Sequence, residues 1–167
     1  MAAPRSALLV SHCFVLDSRN IMPGSFFVPL KGETQDGHAY IPEALEKGAT
    51  GVFINEEEYA KKPDFYRDLQ KKYPKAQFIP VKNTLYAFQD AARARTEQFP
   101  ALIKIAITGS SGKTTTKEIA AVVFSQKYNV IATQGNLNTE TGLPLSVLKI
   151  RGEHQAGIFE LGMNRRG

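Results

Sequence analysis

Residues 103–116 read Ile-Lys-Ile-Ala-Ile-Thr-Gly-Ser-Ser-Gly-Lys-Thr-Thr-Thr, and this stretch decides the fold class. Its opening IKIAI is apolar and rich in β-branched residues, which suits a buried strand. The run breaks at Thr108-Gly109-Ser110-Ser111-Gly112, a tight turn of small residues. A helical pattern follows, with Ile119, Val122, Val123 and Gln126 on one side. Strand, glycine turn, helix is the layout of a phosphate-binding loop. Gly109 and Gly112 let backbone N–H groups approach phosphate oxygens without a Cβ in the way. Lys113 would reach the terminal phosphates, and the Thr114 hydroxyl would bind Mg²⁺. A plain serine- and glycine-rich turn is the competing reading, but Gly-Lys-Thr follows a strand and opens a helix, as the motif requires. One residue departs from the general pattern. Its first glycine belongs five positions before Gly112, where this chain has Ile107.

Downstream, residues 129–132 (NVIA) read as a second strand and 133–141 (TQGNLNTET) as a polar loop. Residues 143–150 form a short helical stretch with Pro144 in its first turn, and 156–160 (AGIFE) a third strand. Glu160 closes that strand. A carboxylate at the carboxyl end of a strand in a nucleotide-binding sheet lies where ligands bind, and there it can hold Mg²⁺. Taken alone, a solvent-exposed strand-end glutamate is the plainer reading; beside the loop, the metal role is favoured. Asn136 and Asn138 fall on the same edge if the sheet is parallel. Their amides would contact the γ-phosphate or metal-bound water, with turn formation an equal competitor.

Upstream, short strands and helices alternate over about 100 residues, which implies an α/β unit. Residues 7–16 contain a short strand, and 17–20 and 22–24 are turns. Residues 26–30 (FFVPL) read as a strand, with Pro29 suggesting an edge or a strand end. Residues 31–39 are a polar loop, and 41–47 a helix with Pro42 in its first turn, closed by Gly48. Strands at 51–55 and 77–81 enclose a helical region at 56–73 that is interrupted near Pro63. Asn83 caps a helix running to about Gln98, and Pro100 ends it. The boundary between two domains, 1–100 and 101–167, falls at Phe99-Pro100-Ala101.

The 167 residues carry 43% hydrophobic and 22% charged residues, ordinary for a soluble globular protein. The net charge of +5 suits a binder of phosphorylated ligands and is too dispersed to argue for nucleic acid. Lys61, Lys62, Lys71 and Lys72 read as solvated helix faces. Cys13 is the single cysteine, so an internal disulfide is excluded and a reducing, cytoplasmic setting is the default. No apolar run approaches the ~20 residues of a membrane span. His12, His38 and His154 lack a second histidine or cysteine at ligand spacing and are not read as metal sites.

The segments TGSSGKTTTKE, GNLNTETGLP and FELGMN resemble the ATP-binding central domain of the Mur ligases, the amide-bond-forming enzymes of peptidoglycan precursor synthesis. The phosphate loop of that family reads TGxxGKTTT, so Ile107 is what the resemblance expects. Residues 17–49 (DSRNIMPGSFFVPLKGETQDGHAYIPEALEKGA) resemble the uridine-nucleotide-binding domain shared by the family members that add the third residue and the final dipeptide. The resemblance implies a small N-terminal α/β domain followed by the opening βαβ units of a P-loop parallel-sheet domain. GNLN and ELGMN are most similar to the members that join D-alanyl-D-alanine to UDP-N-acetylmuramoyl-tripeptide. The member that adds a diamino acid, and a stand-alone nucleotide-binding module without ligase chemistry, are the alternatives.

What the resemblance implies about residues follows its motifs. Gly109, Ser110, Ser111, Gly112, Lys113, Thr114 and Thr115 would cradle ATP with Asn136 and Asn138. Lys113 and Glu160 would act in catalysis, with Thr114 and Glu160 on Mg²⁺. Asp17, Ser18, Arg19, Lys31, Gly32, Asp36, Gly37 and His38 would face the uridine diphosphate, although Asp17 and Asp36 also suit turn capping. The family has three domains, so this chain is expected to cover the first and part of the second, to be a monomer, and to be inactive by itself.

Overall fold

The computed structural model describes residues 13–32, 35–135 and 137–162. It is α/β with parallel sheets, and the chain divides into two compact units at Asp90 and Ala91, within one helix.

The first unit holds a four-stranded parallel sheet in the order β1 (Cys13–Val15), β2 (Ser25–Phe27), β3 (Gly51–Asn55), β4 (Gln77–Val81). Helices α1 (Ile41–Glu46), α2 (Glu56–Lys61) and α3 (Pro63–Lys72) lie between the strands in sequence. Proline at the first turn starts both α1 and α3, and the Asn55 side chain caps α2 by accepting from Glu57 and Glu58 N–H. Side chains alternate across the sheet. Phe27, Val52 and Ile54 pack against Ile41, Ala44, Leu45, Tyr66 and Leu69. Phe14, Phe26 and Phe53 form an aromatic layer on the other face, with ring centroids 4.8–6.3 Å apart. The lysines read as solvated are exposed, with Lys61 on Glu58, Lys71 on Asp68 and Lys72 on Glu46.

Pro29 does not mark an edge. β2 is an interior strand, and Pro29 comes after its last residue. The residue that shapes this sheet is Gly51, paired in register with Phe26. A Cβ on Gly51 would stand 2.4 Å from the Phe26 ring, so the ring occupies the space a side chain would need.

Helix α4 (Thr84–Glu97) starts at Asn83, whose side chain accepts from Tyr86 N–H. The second unit then holds a three-stranded parallel sheet in the order β5 (Ile103–Ile107), β7 (Ala156–Glu160), β6 (Val130–Ala132), with α5 (Lys113–Ser125) and α6 (Gly142–Val147). The five residues of the central strand β7 are all buried. β5 corrects the expectation of a buried strand: it lies at an edge of the sheet with only β7 beside it, and none of its residues is buried. α5 also differs from its pattern. Ile119, Val122 and Val123 are 60–63% exposed, and the helix buries Lys117 instead.

Replacing Gly51 with alanine is expected to lower the unfolding free energy by about 1–3 kcal/mol, because the added methyl must displace the Phe26 ring. Urea denaturation of the two proteins checks this.

Candidate active site

The parallel register brings the carboxyl ends of β5, β6 and β7 to one edge, with Ile107 opposite Glu160 and Ala132 opposite Ile158. The loop after β5 is the phosphate-loop sequence. Gly109 (φ +150°) and Gly112 (φ +72°) adopt backbone conformations that other residues rarely take, while a Cβ on either would meet no close neighbour. Conformation, not space, demands glycine there. Gly112 leaves the first turn of α5 without a side-chain cap, so the N-terminal N–H groups and dipole face the loop. The Lys113 ammonium folds back over that loop and donates to the Gly109 carbonyl at 2.7 Å. Ser110, Ser111, Thr114 and Thr115 are exposed.

Glu160 is 2% exposed, so the reading of a solvated strand-end carboxylate is overturned. Its Oε2 accepts from the Thr114 hydroxyl at 3.0 Å and its Oε1 from the Asn138 amide at 2.7 Å. Lys117 Nζ lies 4.0 Å from Oε2. Burial alone would push this carboxyl up. The hydrogen bonds from Asn138 and Thr114, with the ammonium groups of Lys117 and Lys113, hold it below its ordinary value instead. It is therefore an ionised, buried acceptor at the mouth of the loop.

Asn138 is held from both ends. Its carbonyl accepts Gly162 N–H at 2.8 Å, and a Cβ on Gly162 would stand 2.7 Å from that oxygen. Gly142 is constrained in the same way by the Leu137 backbone at 2.7 Å. A cavity of about 480 Å³ opens here, lined by residues 138–141, Leu143, Leu161 and Gly162. Asn136 lies outside the described residues.

Two participants carried no signal in the motif reading. Thr133, 2% exposed, accepts the Glu160 backbone N–H on its hydroxyl at 3.1 Å. Lys117, 3% exposed, stands one helical turn after Lys113, and that i, i+4 spacing was the available clue.

In the first unit, a cavity of about 740 Å³ is lined by Asp17, Ser18, Arg19, Lys31, Gly32 and Gly37 among the expected residues, and also by Gln35, Tyr40 and Glu43. Arg19 is bound to Asp17 through Nε at 2.9 and 3.0 Å, and this pair with the backbone N–H of Arg19 lowers the Asp17 carboxyl to about 2. The pair is exposed and contributes little to stability. Ser18 is buried, and its hydroxyl donates to Glu43 at 3.0 Å. Asp36 and His38 are absent from the lining. Asp36 caps the short 3₁₀ turn at Gly37–Tyr40, and His38 is 7% exposed with both ring nitrogens engaged. Asn55 N–H donates to Nε2 at 3.0 Å, so Nδ1 carries the proton that Asp36 accepts at 2.6 Å.

Comparison with known sequences fits this geometry. Residues 107–167 match the Mur ligase middle domain, and residues 11–96 match the family profile described as Mur ligase family, catalytic domain. The chain belongs to the Mur ligase family. It is 50% identical over 151 residues to the UDP-N-acetylmuramoyl-tripeptide–D-alanyl-D-alanine ligase of Treponema pallidum, covering 90% of this chain and 32% of that protein. The corresponding Bacillus subtilis ligase is 33% identical across all of this chain and 34% of its own length. Among solved structures, MurF from Acinetobacter baumannii aligns with a TM-score of 0.76 at 32% identity, covering 92% of this chain and 31% of that one. A MurF ligase from Thermotoga maritima in complex with ADP aligns at 0.74 and 32% identity, covering 93% and 33%. This Mur ligase chain thus spans about a third of the length of the relatives it matches.

Alanine at Gly162 should force the Asn138 loop off the strand end and cost about 1–3 kcal/mol in a urea titration. Removing the Asp36 cap with alanine should cost about 1 kcal/mol at pH 7. Desolvation raises the Asp36 carboxyl, but its His38 hydrogen bonds bring it below the ordinary value. Its contribution is therefore present above about pH 4 and lost as pH falls through the lower folded value. The difference between wild type and Asp36→Ala in thermal melts should shrink on acidification below pH 4.

Proposed function

We propose that the chain is the UDP-precursor-binding domain (1–100) and the first part of the ATP-binding domain (101–167) of a ligase joining D-alanyl-D-alanine to UDP-N-acetylmuramoyl-tripeptide. One observation carries the reading. In a Mur ligase chain, an ionised buried carboxylate on the central strand meets the phosphate-loop threonine at 3.0 Å. That is the pairing of a nucleotide–metal site. The substrate identities rest on relatives of that name, 50% identical in one case.

The chemistry divides among the chain's own residues. The loop N–H groups from Gly109 to Thr115 and the start of α5 would bind the ATP phosphates. Lys113 would leave the Gly109 carbonyl and neutralise charge developing on the transferred phosphoryl group. Asn138 would fix the Glu160 carboxylate and present the rest of its amide to the phosphate or its water. Thr114 and Glu160 offer two hard oxygen ligands, a donor set suited to Mg²⁺, which takes few protein ligands and completes its shell with phosphate and water. Among the described residues no cluster of three His, Cys, Asp or Glu offers a stronger metal site. Bound there, Mg²⁺ would supply charge neutralisation on the phosphate oxygens.

In the overall reaction the tripeptide carboxylate attacks the γ-phosphorus and ADP leaves, giving an acyl phosphate. The D-alanyl-D-alanine amine then attacks the acyl carbon, inorganic phosphate leaves, and the amine gives up a proton. The first unit would hold the uridine diphosphate end of the substrate in the cavity beside Arg19 and Lys31, where Lys31, and Arg19 on release from Asp17, would donate to the diphosphate. Asp36 and His38 would support that wall from behind.

Calorimetry tests both halves. The 167-residue chain should bind UDP-N-acetylmuramoyl-tripeptide, and Arg19→Ala should weaken that binding about tenfold, as expected for a lost charge-assisted contact. Lys113→Ala should abolish ATP binding while sparing the uridine ligand. A chain that ignores the UDP precursor refutes the substrate assignment. ADP release dependent on both the tripeptide precursor and D-alanyl-D-alanine would refute the expectation that these residues alone are inactive.

A further inference from the structure

The proposed phosphoryl transfer gives no task to Lys117, yet among the described residues it is the only buried lysine, at 3% exposure. Burying an ammonium is costly unless it is well paired. The pairing here is loose. Its Nζ donates to the Gly135 carbonyl at 3.4 Å and stands 4.0 Å from Glu160 Oε2, the same oxygen that accepts the Thr114 hydroxyl. A lysine kept only for packing would be replaced at no loss by an apolar side chain of similar length.

Charge balance gives the arrangement a purpose. One carboxylate, Glu160, is influenced by two ammonium groups, Lys117 and Lys113. A bare divalent cation approaching the Thr114 and Glu160 oxygens would add two positive charges where Lys117 and Lys113 already act on the Glu160 carboxylate, in surroundings that screen poorly. The same cation carried by a triphosphate arrives with excess negative charge, and the lysines then attract the complex.

We propose that Lys117 is a charge gate, which keeps a bare divalent cation from the Thr114–Glu160 position and admits it only as a metal–nucleotide complex. This rests on reading the pocket as an ATP site and adds to it an order of loading, set by a residue outside the phosphate-loop motif.

The test uses Mn²⁺ as the probe, followed by the loss of its free paramagnetic resonance signal on binding to the 167-residue chain. Glu160→Gln serves to locate the bound ion. Lys117→Met, which keeps the stem and removes the charge, should bind Mn²⁺ alone at least tenfold more tightly than wild type. Lys117→Arg, which keeps the charge, should behave as wild type. A Met variant no tighter than wild type, or an Arg variant as tight as the Met variant, overturns the gate. If the Met variant does not fold, as judged by circular dichroism, wild type alone decides. It should take up the Mn²⁺ complex of a non-hydrolysable ATP analogue and bind Mn²⁺ alone at least a hundredfold more weakly. Equal affinity for both overturns the proposal. A wild-type chain that binds neither the analogue nor its metal complex refutes the ATP-site reading itself, an outcome distinct from analogue binding with an unimproved Met variant.

Discussion

A carboxylate buried at the end of a central strand sets the terms for the whole second unit. β7 is covered along its length, so the Glu160 charge cannot be hydrated freely and must be met by protein donors. Two segments supply them: Thr114 and Lys117 from α5, and Asn138 from the loop after β6, where the Thr133 hydroxyl also accepts the Glu160 backbone N–H. A charge with partners on both segments fixes where each segment ends. The glycines at 142 and 162 follow from the same constraint, because the Asn138 loop reaches Glu160 only by pressing its backbone against positions with no Cβ.

The first unit is organised by packing rather than by charge. Its sheet stacks Phe14, Phe26 and Phe53 on one face and packs Phe27, Val52 and Ile54 against the helices, Tyr66 included, on the other, and Gly51 yields its side-chain volume to the Phe26 ring. Polar contacts sit at the strand ends. There Asp36 and His38 brace the end of β3 at Asn55, while Asp17, Arg19 and Lys31 line the cavity. Residues close together in sequence thus divide between wall and lining. Asp36 and Gly37 are neighbours, yet only Gly37 borders the cavity.

These differences show what the sequence could and could not reveal. Period-2 and period-3.6 patterns, proline at first turns and Asn caps marked nearly every strand and helix, because those signals are local. The phosphate loop was legible for the same reason, as was Glu160 at a strand end. Burial was not local. The β-branched run in β5 reads as buried but sits at a sheet edge, and the apolar stripe of α5 at Ile119, Val122 and Val123 faces outward. Lys117 is buried beside Glu160 instead, 43 residues further on in sequence, and no window on the helix contains that partner. The burial of His38 is equally non-local: its partner Asn55 N–H comes from a strand 17 residues away.

The departure at Ile107 has a physical explanation of its own. The general pattern puts a glycine there. Here the ladder continues through position 107: Ile107 pairs with Glu160, and its carbonyl accepts Leu161 N–H at 2.8 Å. The chain turns only afterwards, and Gly109 is the first residue of the loop with a positive φ. A glycine at 107 would weaken the pairing that holds β5 beside Glu160 and would gain nothing, since the backbone there is extended and any residue can adopt it. The chain therefore keeps strand geometry up to the residue paired with Glu160, and the loop and first turn of α5 that follow bring the Thr114 hydroxyl to the carboxylate at 3.0 Å.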